Sequence, residues 1–338
     1  MQKLVHIYHN IISTENLLGA WREFIRGKRH KLDVQQFSFR LMANLLTLHS
    51  DLENQTYRHG PYQTFTIVDP KLRIIHKATV RDRLIHRAVY RQLYWFFHQR
   101  FIPDSYSCQL GKGTHKAINC FRSLAYEVSQ NHTKTCWVLK CDIKKFFATI
   151  GHHILKSILT PHFNDPHLTN LLTKIIDSFH TEPNIGLPLG NLTSQLFANV
   201  YLNQLDQFIK HELKVKHYVR YADDFVILSP DKPQLENLLP PISSFLQTNL
   251  QLQLHPHKIF LQTIASGVDF LGWVNFADHR VLRTVTKRRM WWRLKVVQNK
   301  PETTRSYLGM LRHENTYKLQ ECITSYLPTD GSRRRSPK

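Results

Sequence analysis

Apolar side chains recur every three or four positions through much of Met1 to Tyr57, most clearly at Phe37, Leu41, Leu45 and Leu48, and this spacing predicts helices with one packing face. From Tyr62 to Ile75 the period shortens. Two apolar runs, Phe65-Thr66-Ile67-Val68 and Leu72-Arg73-Ile74-Ile75, flank the turn residues Asp69-Pro70-Lys71 and predict a hairpin. Helical spacing returns over Arg81 to Phe97. Another helix is expected after Gly111-Lys112-Gly113-Thr114, a stretch that lacks the earlier glycine of a phosphate-binding P-loop. Next come an expected strand at Trp137 to Ile143, helices over about Ile154 to Phe179, and a loop holding Gly186 and Pro188. A long helix at about Leu192 to Ile209 and a strand-turn-strand at Tyr218 to Leu228 complete this part. Pro230, Pro233, Pro240 and Pro241 predict a break before a further helix, followed by short strands near Lys258 and Phe270 and a helical appendage from about Thr284. The fold class is α+β.

Composition turns this layout toward a polyanionic partner. An apolar share of 42% supports a buried core, while 46 Lys and Arg against 25 Asp and Glu leave a formal charge of +21. Trp21 to Lys31 and Thr286 to Lys295 interleave basic and aromatic side chains, a combination suited to phosphates beside stacking surfaces, though an anionic membrane surface would be served equally well. No apolar run approaches the roughly 18 residues of a membrane span, and Met1 to Asn10 lacks a signal-peptide core, so a cytoplasmic protein is expected. Five cysteines without a C-x-x-C pair argue against a disulfide framework or a tetrathiolate zinc site, and are expected to be reduced and mostly buried. Histidines at His152-His153 and His255-x-His257 match no zinc motif and are expected to face solvent or nucleic acid.

The acids carry the candidate chemistry. In the strand at Trp137 to Ile143, alternation puts Asp142 on the face opposite Leu139 and Cys141. Tyr221-Ala222-Asp223-Asp224 sets two adjacent acids in the turn of an apolar hairpin, where their repulsion calls for a hard cation with oxygen ligands, best Mg²⁺. If adjacent strands bring Asp142 to the pair, two ions about 4 Å apart could serve phosphoryl transfer, in a polymerase or equally in a nuclease.

These residues resemble the reverse transcriptases, over roughly Phe37 to Trp273. Asp142-Ile143-Lys144-Lys145-Phe146-Phe147 is similar to the first palm motif, and Tyr221-Ala222-Asp223-Asp224 to the Tyr-x-Asp-Asp signature. The resemblance implies a right-hand polymerase fold. Residues 1–135 would form an N-terminal extension and fingers with part of the palm interleaved, 136–283 the palm of antiparallel sheet plus helices, 284–330 a short helical thumb, and 331–338 a flexible basic tail. It implies two Mg²⁺ held by Asp142, the Ile143 carbonyl, Asp223 and Asp224, with deoxynucleoside triphosphates as substrates. Lys258 would protonate the departing pyrophosphate. Lys71 and Arg73, with Arg83 as a helper, would hold the triphosphate. Phe147 would be the steric gate beneath the sugar, Gly267 to Trp273 the primer-gripping hairpin, and Arg288, Arg289, Trp291, Trp292 and Arg293 the lining of the template-primer duplex.

Gly186-Leu187-Pro188-Leu189-Gly190-Asn191-Leu192-Thr193-Ser194-Gln195 narrows the resemblance. Most of the family carries Gln where this chain has Leu189 and Pro where it has Gln195. The Leu-Gly-Asn-Leu-Thr-Ser-Gln form is similar to the diversity-generating retroelement enzymes of bacteria and phages, which would place Leu189 and Gly190 at the incoming nucleotide. That implies error-prone cDNA synthesis opposite template adenines, mutagenic retrohoming of the copy, and a small basic accessory variability protein forming a pentameric barrel. A defence, retron-like or group II intron-related reverse transcriptase is the alternative within the same chemistry. A non-catalytic RNA-binding protein on the same fold is the reading of another class, and the three acids argue against it.

Overall fold

The computed structural model describes residues 3–4, 7–68, 72–296, 301–312 and 316–324. Lys71, residues 325–330 and the basic tail at 331–338 lie outside the described residues.

Four helices open the chain: α1 (Ile7–Ile12), α2 (Thr14–Phe24), α3 (Leu32–Phe39) and α4 (Leu41–Glu53). The Ser13 side chain caps α2 by accepting from the Asn16 amide. The apolar stripe from Phe37 to Leu48 is shared between α3 and α4, with Leu45 and Leu48 in the core. Trp21 and Phe24 are core residues, so the aromatics of the first basic stretch do not offer the stacking surface expected of them; Arg22, Arg26, Arg29 and Lys31 face outward. Their spacing of three marks a buried helix face, and the basic residues fill the opposite one.

The expected hairpin follows as β1 (Gln63–Ile67) and β2 (Arg73–Lys77), with Ile67 opposite Arg73. Then come α5 (Val80–His98) and α6 (Thr114–Val128). The next segments are β3 (Trp137–Asp142), α7 (Phe146–Thr149), α8 (His152–Leu159), α9 (Pro166–Asp177) and α10 (Leu192–Gln207). The strand-turn-strand is β4 (Tyr218–Tyr221) and β5 (Asp224–Ser229), followed by α11 (Lys232–Leu250) and β6 (Phe260–Thr263). The four strands form one antiparallel sheet in the order β4-β5-β3-β6.

Both faces of this sheet are covered. Leu139, Cys141, Phe225 and Ile227 join the main core with α5, α8 and α10. On the other face Val138, Val219 and Val226 pack against Phe121 and Ala125 of α6. On that face Lys140 and Asp142, the last residue of β3, are half-buried.

α11 corrects the expected break. Pro240 and Pro241 lie inside it and Pro233 in its first turn. An interior proline forfeits a backbone hydrogen bond, a penalty of about 3 kcal/mol. Leu235, Ile242, Leu246 and Leu250 nevertheless keep one face buried across the prolines, and their burial outweighs that penalty.

A separate antiparallel sheet, β7 (Val268–Phe270), β8 (Trp273–Asn275) and β9 (Arg280–Leu282), adds one strand to the expected Gly267 to Trp273 hairpin. Trp273 and Leu282 share a third core with Met290 and Leu294 of α12 (Thr284–Val296), Leu311 of α13 (Pro301–Leu311) and Ile323 of α14 (Tyr317–Thr324). Two cysteines, Cys136 and Cys141, are buried, while Cys108 and Cys322 are exposed and Cys120 is half-buried, fewer buried than expected; none is in a disulfide. Among the described residues no helix is long and apolar enough to cross a membrane.

Candidate active site

The antiparallel register determines where the acids meet. Asp142, the last residue of β3, lies directly opposite Asp224, the first of β5. Asp223 occupies the β4-β5 turn beside Ala222, whose φ of +55° gives the left-handed bend that the two-residue connection needs. The turn is tied to β3 by the Ile143 amide, which donates to the Asp223 carbonyl at 3.1 Å. The His255 amide donates to the Asp142 carbonyl at 2.8 Å and brings in the 3₁₀ turn at Pro256–Lys258.

Lysines answer part of this negative charge. Lys258 Nζ lies 2.8 Å from Asp142 Oδ1, and Lys140 Nζ lies 3.8 Å from Asp224 Oδ2 while donating to the Asp269 carbonyl. Asp224 Oδ1 is buried with no hydrogen-bond partner. Burial, and then the neighbouring Asp142 and Asp223 charges working against Lys140, push the Asp224 carboxyl up to about 7. Asp223 is likewise raised by burial and by Asp142, while the charges of Lys258 and Arg73 pull the other way. The structure thus brings Asp142, Asp223, Asp224 and Lys258 together and sets Arg73 of β2 within electrostatic reach.

An orphaned carboxylate oxygen among hard oxygen donors suits a divalent cation. Among the described residues, no three acid, histidine or cysteine side chains already form a closed cage. The Lys258 ammonium sits on Asp142 instead, so an incoming ion would have to take its place there.

Beside the acids lies a cleft of about 120 Å³ whose walls include Phe147, Leu189, Gly190, Gln195, Arg220 and Ala222. Phe146 is in the core and Phe147 half-buried. The Leu187 amide donates to the Phe147 carbonyl at 2.7 Å, and the His76 amide of β2 donates to the Leu189 carbonyl at 3.0 Å. One loop therefore joins the aromatic ring to the β1-β2 hairpin. Gly190 has φ of +119°, and a Cβ there would lie 3.0 Å from Ile75 Cγ2, so the close approach of loop and hairpin depends on glycine.

The loop is anchored from below by histidines. His152 is buried with Nε2 2.8 Å from the Gly186 carbonyl, correcting the surface position expected for it. The same polar residue serves as a lock because its ring finds a backbone partner inside the core. His86, fully enclosed, pairs with Thr193 Oγ1 at 2.7 Å and the Asn191 amide at 3.3 Å, and burial pulls its pKa to about 3.

Arg220 was not foreseen from the sequence. Its side chain is wholly buried against Asp206, with Nη2 to Oδ2 2.5 Å and Nε to Oδ1 2.7 Å, and Nη1 donates to the Ala222 carbonyl at 3.1 Å. A charged residue between the apolar neighbours Val219 and Tyr221 of a strand was the signal that could have found it. Arg83 is bound to Asp33 at 2.6 Å. On α12, Met290 and Leu294 are buried, Trp291 packs partly against that core, and Arg288, Trp292 and Arg293 face outward, with Arg289 half-buried.

The family described as "Reverse transcriptase (RNA-dependent DNA polymerase)" matches residues 66–275, more than half of the chain. The chain belongs to the reverse transcriptases. Protein YkfC of Escherichia coli K12 is 26% identical, over 80% of this chain and 79% of YkfC. The group II intron-encoded protein LtrA of Lactococcus lactis is 23% identical, over 70% of this chain and 50% of LtrA. The chain spans 30% of another relative, a putative COX1/OXI3 intron 2 protein of Saccharomyces cerevisiae, at 20% identity and 63% of its own length. The fold is similar to apo telomerase from Candida tropicalis, truncated from the C-terminal domain, with a TM-score of 0.50 at 11% identity over 71% of this chain and 60% of that one. The α+β architecture is the right-hand fold of this family of RNA-directed DNA polymerases.

Proposed function

We propose that this reverse transcriptase copies an RNA template into cDNA with low fidelity, as part of a diversity-generating retroelement. The observation that carries the polymerase reading is the register placing Asp142 opposite Asp224 with Asp223 in the adjoining turn. Asp142, the Ile143 carbonyl, Asp223 and Asp224 would hold Mg²⁺, which supplies charge neutralisation at phosphorus and a lowered pKa for the primer 3′-hydroxyl. Arg73 and Lys71 hold the triphosphate, Phe147 excludes a 2′-hydroxyl by size, and Lys258 delivers a proton to the leaving pyrophosphate. Residues 1–135 act as extension and fingers, 136–283 as palm and 284–330 as thumb. Arg288, Arg289, Trp291, Trp292 and Arg293 of the thumb line the duplex, and the Gly267 to Trp273 hairpin grips the primer.

Leu189 supports the error-prone reading, because an aliphatic side chain in the cleft beside Phe147 cannot hydrogen-bond an incoming nucleotide. The reading includes a small basic pentameric accessory protein as partner and a bacterial or phage cytoplasm as the setting. A group II intron-related role is the second reading, favoured by the intron-encoded relatives. Primer extension on an RNA template with Mg²⁺ and four deoxynucleotides, followed by sequencing, separates them. Errors concentrated opposite adenine are expected. Accurate cDNA would favour the intron or defence reading, and binding without synthesis would leave a non-catalytic RNA-binding protein.

A further inference from the structure

Lys140 lies on the Asp142 face of β3, opposite Val226, on a face whose valines Val138 and Val226 pack against α6. An ammonium placed there is costly unless partners replace its water. Its partners come from two different sheets. Nζ donates to the Asp269 carbonyl of β7 at 2.5 Å and stands 3.8 Å from Asp224 Oδ2 at the start of β5. The Asp269 carboxylate is taken by Arg283, Nε to Oδ2 2.9 Å, and Arg283 is the residue immediately before α12. The Arg283 amide donates in turn to the Gly272 carbonyl at 3.1 Å, in the turn between β7 and β8. A polar chain thus runs from an acid of the cleft, through Lys140 and Asp269, to the root of the thumb helices.

Two features give this chain a role beyond attachment. The β7-β8-β9 sheet already has its own seat on α6, where Phe270 meets Phe121 with ring centroids 5.6 Å apart and Arg280 Nη1 donates to Asn119 Oδ1 at 3.1 Å. Gln262 Nε2 of β6 adds a hydrogen bond to the Gly267 carbonyl at 2.9 Å. What Lys140 adds to these is registry between the hairpin and the acids. The second feature is charge. Asp269 is near enough for its charge to be felt at Asp224, and Arg283 neutralises it, so the Lys140 charge is left for Asp224.

We propose that Lys140 is a positioning residue for polymerisation: it holds the β7-β8 hairpin, and with it the primer end, at a fixed distance from Asp224, and the Arg283–Asp269 pair brings the thumb root into the same register. The inference rests on the polymerase reading of the cleft and deepens it by naming what aligns the primer hydroxyl with the acids. Small errors in such an alignment are costly to rate and nearly invisible to binding.

The test is a double-mutant cycle on the full chain. Lys140→Met keeps the aliphatic stem and removes the charge, while Arg283→Gln, at a side chain 48% exposed, cuts the far link. Lys140→Met should slow single-turnover addition to a matched primer by about 10- to 150-fold, the worth of a hydrogen bond to a charged group. The KM for the deoxynucleotide and the affinity for primer-template should stay near wild type, and Lys140→Arg should recover most of the rate. Arg283→Gln should slow addition less, and combined with Lys140→Met it should change little further, because the chain is already cut. A rate that Lys140→Met leaves intact, a loss of affinity matching the loss of rate, or two losses that multiply would overturn the proposal. Denaturant unfolding of the same four proteins needs no synthesis, and there too the two losses should fall short of their sum. A wild type that extends no primer would sink the polymerase reading, and the unfolding cycle would still decide the link: a shortfall supports it and strict additivity overturns it.

Discussion

Two groups of acids meet at the β4-β5 hairpin, Asp206 of α10 against Arg220 of β4 and Asp142 of β3 against the turn at Asp223 and Asp224, and are treated in opposite ways. Asp206 is wholly buried, yet both its oxygens are met by the Arg220 guanidinium and one also by the Tyr218 hydroxyl at 2.8 Å. Asp142, Asp223 and Asp224 are more accessible, yet an oxygen of Asp224 has no partner and two of the three carboxyls are raised. Burial alone does not distinguish a structural acid from a reactive one; satisfaction does. The Asp206–Arg220 pair is closed, and through the Ala222 carbonyl it braces the turn that carries the unsatisfied group. Rigidity on one side of the hairpin preserves electrostatic tension on the other.

Removing an acid from the unsatisfied side should have the largest effect on chemistry. Asp223→Ala is expected to lower nucleotide incorporation by orders of magnitude with RNA affinity nearly unchanged, measured by primer extension beside filter binding. Retained synthesis would take Asp223 out of catalysis and dissolve the contrast. On the satisfied side the loss is in stability. Arg220→Met leaves Asp206 buried and unpaired, which should cost about 3–5 kcal/mol in denaturant unfolding. Adding Asp206→Leu should recover most of that loss. A single variant as stable as wild type would show that the pair braces nothing.

Asp224 gives the contrast a pH signature. In the metal-free protein its carboxyl is raised to about 7. Between the ordinary carboxylate range and pH 7 the folded state keeps a proton that the unfolded chain has released, so stability falls as pH rises through that window. Asp224→Asn removes this slope. With a chelator present, the variant should melt like wild type at about pH 4 and below and be more stable above pH 7, by on the order of 1–4 kcal/mol. Added Mg²⁺ should stabilise wild type more than the variant. An advantage that does not grow with pH would mean the unpartnered oxygen is not strained.

How much of this was legible in the sequence depends on how local each signal is. The β1-β2 hairpin and the Tyr221-Ala222-Asp223-Asp224 turn carry their turn residues within them, so both were readable. The register of Asp142 against Asp224 was expected in outline, because β3 and the hairpin are both apolar strands ending in acids. What was not legible depends on distant partners. Pro240 and Pro241 read as a break, since the buried stripe that overrides them becomes apparent only once α11 meets the sheet. Trp21 and Phe24 read as a stacking surface, although both are buried in the N-terminal core, with Lys28 and Arg83 lying over the Phe24 ring. His152 read as a surface residue because its partner, the Gly186 carbonyl, lies 34 positions away.

The smallest expected effect tests Leu189, where the contrast between satisfied and unsatisfied groups passes from the protein to its substrate. Leu189 shares the cleft with Phe147 and offers only carbon, while its carbonyl is already engaged by the His76 amide. Leu189→Gln would add an amide that can donate to the incoming nucleotide without disturbing that backbone contact. A net hydrogen bond is worth about 0.5–1.5 kcal/mol, so discrimination against mispairs should improve about 2- to 12-fold. The gain should be greatest opposite template adenine and should be visible in sequenced cDNA at matched extension rates. An unchanged error spectrum would mean that Leu189 merely packs beneath the β1-β2 hairpin, and the source of any infidelity would then have to be sought in the other walls of the cleft, with Gln195 the first to exchange.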